Sequence, residues 1–168
     1  MIYDGKRYRI HNNYLTLGPG FLGSTIRNQS QKCIAIDFQF HIKRQQFQGG
    51  VMMSGNEFQS NNNIQLHVGY GYRRETKATN LAAFIGPTYF TGVEGDSSTK
   101  AMFYDGFGLY GCVQAITKFS YDMGLGAEVF GEVNYKQKMF GFKIVLFFSG
   151  AYRGQKKNFN SNVHSERK

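Results

Sequence analysis

Residues 34–42 alternate strictly between two kinds of side chain. Every even-numbered position is large and apolar, and every odd-numbered position is small, polar or ionisable. Because successive side chains of a β-strand point to opposite faces, this alternation predicts a strand with one apolar face and one polar face. A chain made of such strands can present a continuous apolar surface without having a comparable apolar interior.

The same alternation recurs along most of the chain. Eight segments show it, at 8–21, 32–43, 46–54, 63–73, 77–90, 105–119, 122–135 and 139–153. A transmembrane strand needs about 9 to 11 residues, and bacterial barrels have an even number of strands from eight upward. The sequence therefore predicts an all-β fold, an eight-stranded antiparallel up-and-down transmembrane β-barrel.

The segments between these strands differ in length in an ordered way. Four outer loops are predicted at 23–31, 55–62, 91–104 and 136–138, and inner turns at 44–45, at 74–76 and near Tyr121. Outer-membrane barrels have short periplasmic turns and longer outer loops, so we expect the N-terminus on the periplasmic side. The short fourth outer loop departs from this rule. We expect residues 1–7 to be a periplasmic segment, 8–153 the barrel, and 154–168 a polar basic tail.

Composition agrees with this class of fold. The chain has 21 Gly, 2 Pro and no Trp in 168 residues, and Pro is rare because it interrupts the hydrogen-bond ladders of strands. No run of 18 apolar residues occurs, which excludes a transmembrane helix. The mean hydropathy of −0.41 is typical of a soluble protein, but averaging conceals an alternating lipid face.

The first residues contain no apolar core of a signal peptide. Either the sequence begins at the mature chain with an added Met, or the protein is not exported. We expect the former, with the signal peptide already removed.

The polar face carries ionisable residues of both signs. The predicted lumen ion network consists of Asp37, His41, His67, Lys118, Glu128, Glu132 and Lys143. Eight strands enclose a space that side chains can fill, and buried charges are costly unless they are paired. Glu128 and Glu132 lie on the seventh segment, and Lys118 and Lys143 lie on its two neighbours. We expect these four side chains to form ion pairs that occlude the lumen.

Cys33 and Cys112 are both predicted to point inward, on the second and sixth segments. A disulfide requires Cα atoms about 4.4 to 6.8 Å apart, hence side chains at matching depth. Cys33 lies near a strand end and Cys112 near the middle of a strand. A disulfide and two free buried thiols both remain open.

No motif points to catalysis or to a cofactor. Residues 18–23 match the G-x-G-x-x-G string, but no helix can follow them, and Pro19 lacks an N–H group for phosphate. The four His residues lack zinc-type spacing, and no Ser is placed convincingly beside the inward His residues. We predict no enzyme activity, no cofactor and no metal.

Eight alternating strands, apolar faces flanked by aromatic residues and a mixed-charge interior resemble the small bacterial outer-membrane barrels of the OmpA, OmpX and OmpW kind. Residues 124–134, followed by the aromatic strand 140–148, are similar to the closing hairpin of many such barrels. The resemblance covers about residues 8–153 and implies an architecture and a bacterial outer-membrane location, but no activity. Such barrels often end at a C-terminal aromatic residue, whereas a polar tail follows Tyr152 here.

The net charge of +9 is concentrated in the N-terminal segment, the inner turns and the tail. It could anchor one rim of the barrel to lipid phosphates or attract an acidic partner. Nucleic acid is not expected, because the basic residues are not interleaved with exposed aromatic residues on one platform. Candidate partner contacts are Glu94, Asp96, Phe103 and Tyr104 in the third outer loop and Lys156 and Lys157 in the tail.

Two functions fit these patterns. The first is a structural or accessory subunit of an outer-membrane assembly for transport or secretion, in contact with outer-membrane lipid. The second is a soluble lipocalin-like barrel that binds a small lipophilic ligand. In a lipocalin the apolar face would point inward, so the orientation of the two faces separates the alternatives.

Overall fold

The computed structural model describes residues 2–3, 6–8, 12–25, 30–43, 45–56, 61–94, 102–135, 137–150 and 152–155. These residues form the strands β1 (Ile2–Tyr3), β2 (Lys6–Tyr8), β3 (Tyr14–Ser24), β4 (Ser30–Ile42), β5 (Gln45–Asn56), β6 (Asn61–Glu75), β7 (Thr79–Glu94), β8 (Met102–Ser120), β9 (Met123–Asn134), β10 (Lys138–Ser149) and β11 (Tyr152–Gln155). None of the described residues belongs to a helix that is long and apolar enough to cross a membrane.

Strands β3 to β10 form a closed barrel in which each strand pairs with the next along the chain. Antiparallel pairing of β10 with β3 closes it, with Phe142 opposite Phe21 and Leu146 opposite Leu17. The predicted eight-stranded antiparallel β-barrel is confirmed. Closure leaves each of these strands with a partner on both sides, as a structure that spans a membrane requires.

The apolar face of the barrel is its outer face. Large apolar side chains of the alternating pattern, which we expect to face lipid, are exposed, namely Ile36, Phe38, Leu66, Val68, Leu125, Val129, Ile144 and Leu146. The alternate positions are buried, and β10 alternates between exposed and buried residues along its whole length. A lipocalin requires the reverse orientation, so the structure does not support the lipocalin alternative.

The barrel strands run from Tyr14 to Ser149, within the predicted range of 8–153. Lys43 and residues 76–78 and 121–122 lie in short turns at one end of the barrel, called here the turn end. The opposite end is called the loop end. By the general rule for bacterial barrels, the turn end faces the periplasm.

The predicted outer loop at 91–104 is too long. Strand pairing continues from Thr91 opposite Asp105 to Glu94 opposite Met102, so both flanks of this segment are strand. The flanks carry β-branched and aromatic residues, which favour the ladder over a loop. Apart from Gly92, which lies in β7, the Gly, Asp and Ser residues that suggested a loop occupy only 95–98.

The short fourth outer loop has a local cause. Asn134 Oδ1 accepts a hydrogen bond of 2.8 Å from the backbone N–H of Gln137, and the Asn134 N–H donates to the Gln137 carbonyl at 2.9 Å. An Asn side chain that replaces a backbone acceptor in this way favours a tight turn. The hairpin of β9 and β10 therefore needs no long loop.

A second, three-stranded sheet has the order β1, β2, β11. It joins the segment that precedes the barrel strands in the sequence to the segment that follows them, with Tyr152 opposite Tyr8 and Gln155 opposite Lys6. The sequence alternation did not predict this sheet. It crosses the expected boundaries of the N-terminal segment, the barrel and the tail.

The outward position of Val129, halfway along β9 and 46% exposed, generates a test of the membrane assignment. We expect Val129→Arg to lower the free energy of unfolding by about 2 to 4 kcal/mol, because a charge at the bilayer midplane is poorly solvated. Met123→Arg, on the same face at the turn end, should cost about 1 kcal/mol or less. Urea unfolding in lipid vesicles measures both, and equal costs would contradict the assignment.

Candidate functional site in the barrel lumen

A buried lysine lies at the centre of the lumen. Lys143 Nζ of β10 is 2.7 Å from Glu128 Oε1 of β9 and 3.1 Å from Asp37 Oδ2 of β4. Lys143 and Glu128 are directly opposite each other on adjacent strands, whereas Asp37 is reached across β3. These contacts join three strands from inside the barrel. They provide no evidence for a catalytic role or for a bound cofactor.

The same network continues through two aromatic rings. His67 Nε2 is 2.7 Å from Asp37 Oδ1, and the His67 ring stacks on Tyr110 with 4.1 Å between centroids. Tyr110 donates a 2.9 Å hydrogen bond to Glu128 Oε1. The five side chains therefore form a closed ring of contacts, which we call the central ring: Asp37, Lys143, Glu128, Tyr110 and His67.

Gln114 and Tyr14 extend the central ring toward the turn end. Gln114 Nε2 donates to Glu128 Oε2 at 2.7 Å, and Tyr14 donates from its hydroxyl to Gln114 Oε1 at 3.1 Å. Both carboxylate oxygens of Glu128 therefore accept hydrogen bonds. These bonds offset part of the free-energy cost of burying its charge.

Gly50 of β5 makes the contact between Asp37 and His67 possible. Gly50 is opposite Asp37 on one side and opposite His67 on the other. A Cβ at this position would be 2.1 Å from Asp37 Oδ1 and 2.7 Å from His67 Nε2. The absence of a side chain on the middle strand lets the two flanking side chains meet.

A second ionic group lies at the turn end. Lys118 Nζ forms an ion pair with Glu75 Oε1, and Arg73 Nη2 is 2.8 Å from Glu75 Oε2. Arg73 also donates from Nε to Asn80 Oδ1 at 2.7 Å. We expected Lys118 to pair with Glu128 or Glu132, but it pairs with Glu75 instead. Glu75 was missed because 74–76 was assigned to a turn, although β6 continues to Glu75.

Aromatic rings surround this second group. Lys118 Nζ is 4.6 Å from the centroid of the Tyr121 ring, and the Arg73 guanidinium carbon is 4.3 Å from that of Tyr14. Tyr121 lies in the turn between β8 and β9. Burial, with a smaller contribution from the Glu75 carboxylate, raises the pKa of the Tyr121 hydroxyl. These rings pack against the two cations at the turn end of the lumen.

Two members of the predicted network lie outside both groups. His41 is half-buried near the turn end, where its backbone N–H donates to Asn13 Oδ1 at 3.3 Å. Glu132 is buried near the loop end, where its Oε1 accepts from Asn134 Nδ2 at 2.7 Å. The alternation predicted the inward side correctly, but it contains no information on contacts across the lumen.

Both cysteines are free and buried. Cys112 Sγ donates to Gln48 Oε1 at 3.2 Å. Of the two alternatives left open by the sequence, the structure has free thiols. Within the described ranges, no three or more His, Cys, Asp and Glu side chains are grouped as a metal site.

The candidate partner contacts fall into two sets. Phe103 is exposed on β8, while Tyr104 is half-buried and its ring is 5.9 Å from that of Phe90, at the loop-end mouth of the lumen. The side chain of Glu94 and all of Asp96, Lys156 and Lys157 lie outside the described residues. The structure therefore supports an exposed position for Phe103 alone.

The tight space at Gly50 generates one prediction. Gly50→Ala should lower the free energy of unfolding by about 1 to 3 kcal/mol, because the added methyl group separates Asp37 from His67. Gly49→Ala is the matched control, since a Cβ there meets nothing within 4 Å. Urea unfolding in vesicles should show little change for Gly49→Ala, and similar losses at both positions would contradict the explanation.

Lys143 generates a second prediction. Lys143→Met should lower the free energy of unfolding by about 3 to 5 kcal/mol, because it leaves two buried carboxylates without a cation. Glu128→Gln should cost less, since Lys143 keeps its 3.1 Å contact with Asp37. The two variants can be compared by equilibrium unfolding under the same conditions, and the reverse order would show that Lys143 is not the centre of the network.

No protein-family model matches the sequence, and no curated protein matches it. Among solved structures, Neisserial surface protein A is similar with a TM-score of 0.67 and 10% sequence identity, over 82% of this chain and 96% of that one. Ail of Yersinia pestis, in complex with the heparin analogue sucrose octasulfate, has a TM-score of 0.63 and 9% identity, over 86% and 100%.

The N-terminal β-barrel domain of Pseudomonas aeruginosa OprF is also similar, with a TM-score of 0.61 and 8% identity, over 82% of this chain and 98% of that one. At these identities the similarity concerns the fold. The fold and the apolar outer face together indicate a location in the bacterial outer membrane. The chain has the fold of the small eight-stranded outer-membrane β-barrels.

Proposed function

We propose that this protein is a structural or accessory barrel of the outer membrane that acts by contact with a partner protein, without catalysis. The lumen supports this proposal. Buried, mutually paired side chains occupy its centre and its turn end, among them the fully buried Lys143 and Glu128. When the lumen of a barrel is filled by its own side chains, the outer surfaces remain available for contacts with other molecules.

The hairpin of β7 and β8 is the proposed contact element. Pairing of β8 with β9 begins only at Gly108 opposite Asn134, so residues 102–107 pair with β7 alone. One edge of this segment has no neighbouring strand among the described residues. Such an edge can accept an added strand from another protein, which is a common mode of recognition.

Two aromatic side chains make this hairpin suited to a protein partner. Phe103 is 80% exposed and Phe107 is 76% exposed, more than the other large apolar side chains of the described residues. Both face outward, on the loop-end side of Leu109. Exposed aromatic residues of this kind are enriched in the cores of interfaces. This pair of exposed rings on a strand with an open edge is the observation that carries the proposal.

The hairpin is also held in place before any partner binds. The Phe107 ring is 5.3 Å from that of Tyr89, whose hydroxyl donates to Asp105 Oδ2 at 3.1 Å. Tyr135, the residue that follows β9, donates from its hydroxyl to the Asp105 carbonyl at 2.9 Å. A preordered surface loses less conformational entropy on binding. The basic tail with Lys156 and Lys157 is proposed as a further contact.

The proposal predicts that the native protein is part of a larger particle. After extraction in mild detergent, native mass measurement should give a mass above the 19.1 kDa of one chain. Replacing both Phe103 and Phe107 by Ser should release the monomer, because the interface loses its apolar anchors. Phe119→Ser is the control, since Phe119 is exposed on the same strand at the turn end.

A purely monomeric native protein would favour a barrel that functions alone. A complex that survives the double substitution would exclude the hairpin as the contact. Release by Phe119→Ser as well would indicate a general loss of folding.

A further inference from the structure

A group of buried oxygen atoms without hydrogen-bond partners lies near the loop end of the lumen. Among the described residues, four oxygen atoms there lack a partner, namely Ser54 Oγ, Asn63 Oδ1, Gln65 Oε1 and Glu132 Oε2. All four side chains are at least nine-tenths buried. Buried polar atoms in folded proteins are rarely left unpaired, so a group of them needs an explanation.

The strand register brings these residues to one region. Ser54 of β5 is directly opposite Asn63 of β6, and Gln65 is the next inward residue along β6. Gln65 reaches across the lumen, because its Nε2 is 3.7 Å from Met139 Sδ on β10. Met139 is directly opposite Glu132 on β9. Gln65 and Glu132 therefore approach each other from opposite walls.

Glu132 differs from the other carboxylates of the lumen. Asp37 and Glu128 contact Lys143, and Glu75 contacts Arg73. Glu132 is 1% exposed and has no ion pair with any described residue. A buried carboxylate without a counter-charge is costly, and a bound cation would supply that charge.

We propose that the loop-end lumen binds a hard metal cation, with Ca²⁺ as the best fit. The unpartnered atoms are carboxylate, amide and hydroxyl oxygens, which are the ligands that Ca²⁺ accepts in flexible geometry. Mg²⁺ fits less well, because it requires near-ideal octahedral geometry. With one carboxylate in the set, the affinity belongs to the weak class, with a Kd on the order of 10⁻⁴ to 10⁻³ M.

This inference is independent of the proposed partner contact. Phe103 and Phe107 point outward, whereas the four oxygens lie inside the barrel. Loss of either site should leave the other unchanged.

Titration of the full chain in detergent micelles with CaCl₂ at constant ionic strength tests the proposal. We expect saturable heat of binding and a rise in the unfolding temperature. Glu132→Gln should weaken binding at least tenfold, because it removes the charge and retains the shape. Asp105→Asn is the control, since Asp105 is exposed on the outer face at the same end, and it should bind Ca²⁺ as the unmodified chain does.

Gln65→Met provides a second test that leaves the carboxylate in place. It should weaken Ca²⁺ binding by a smaller factor than Glu132→Gln, and it remains informative if Glu132→Gln does not fold. Tighter binding of MgCl₂ than of CaCl₂ would overturn the choice of Ca²⁺. No saturable binding, or unchanged binding in both lumen variants, would overturn the site and leave water as the partner of these oxygens.

Discussion

The two contacts of Lys143 Nζ are the interaction on which the lumen depends. The lumen of this barrel holds both apolar side chains, such as Phe84, Phe130 and Phe147, and buried charged ones. Buried charges are costly unless they are paired. Lys143 pairs them, because a single ammonium group contacts carboxylates on β9 and on β4. His67 and Tyr110 complete the central ring, which joins the walls of the barrel beside the apolar clusters.

Charge in the lumen changes sign along the barrel axis. The turn-end group contains Arg73, Lys118 and Glu75, an excess of one positive charge. The central ring has two carboxylates and one lysine, with His67 beside Asp37. The loop end has Glu132 with no cationic residue paired to it in the described part of the chain. Among these buried groups the charge is therefore positive at the turn end and negative toward the loops, and the half-buried Asp122 of the β8–β9 turn reduces the positive excess.

The sequence predicted the faces of the strands well and the contacts within the lumen poorly. Alternation depends on neighbouring residues, so it correctly assigned Asp37, His67 and Lys143 to the inside. The pairing of Lys118 with Glu75 depends on how β6 and β8 are placed relative to each other, which alternation does not encode. The length of the β7–β8 hairpin was missed for a related reason. Turn-forming residues marked a loop, but the strand propensity of the flanking residues shortened it.

The pairing of β3 with β10, called here the seam, closes the barrel. In sequence, the small sheet of β1, β2 and β11 lies on both sides of the strands that form the seam, because β2 precedes β3 and β11 follows β10. Seven of the eight pairings in the barrel join consecutive strands, whereas the seam joins strands more than a hundred residues apart. Bringing such distant segments together costs chain entropy. Because β2 and β11 pair across the same gap, their hydrogen bonds add to the pairing that has the longest loop to close. Until that pairing is complete, the edges of β3 and β10 are open, and assembly is vulnerable to pairing with the wrong strand.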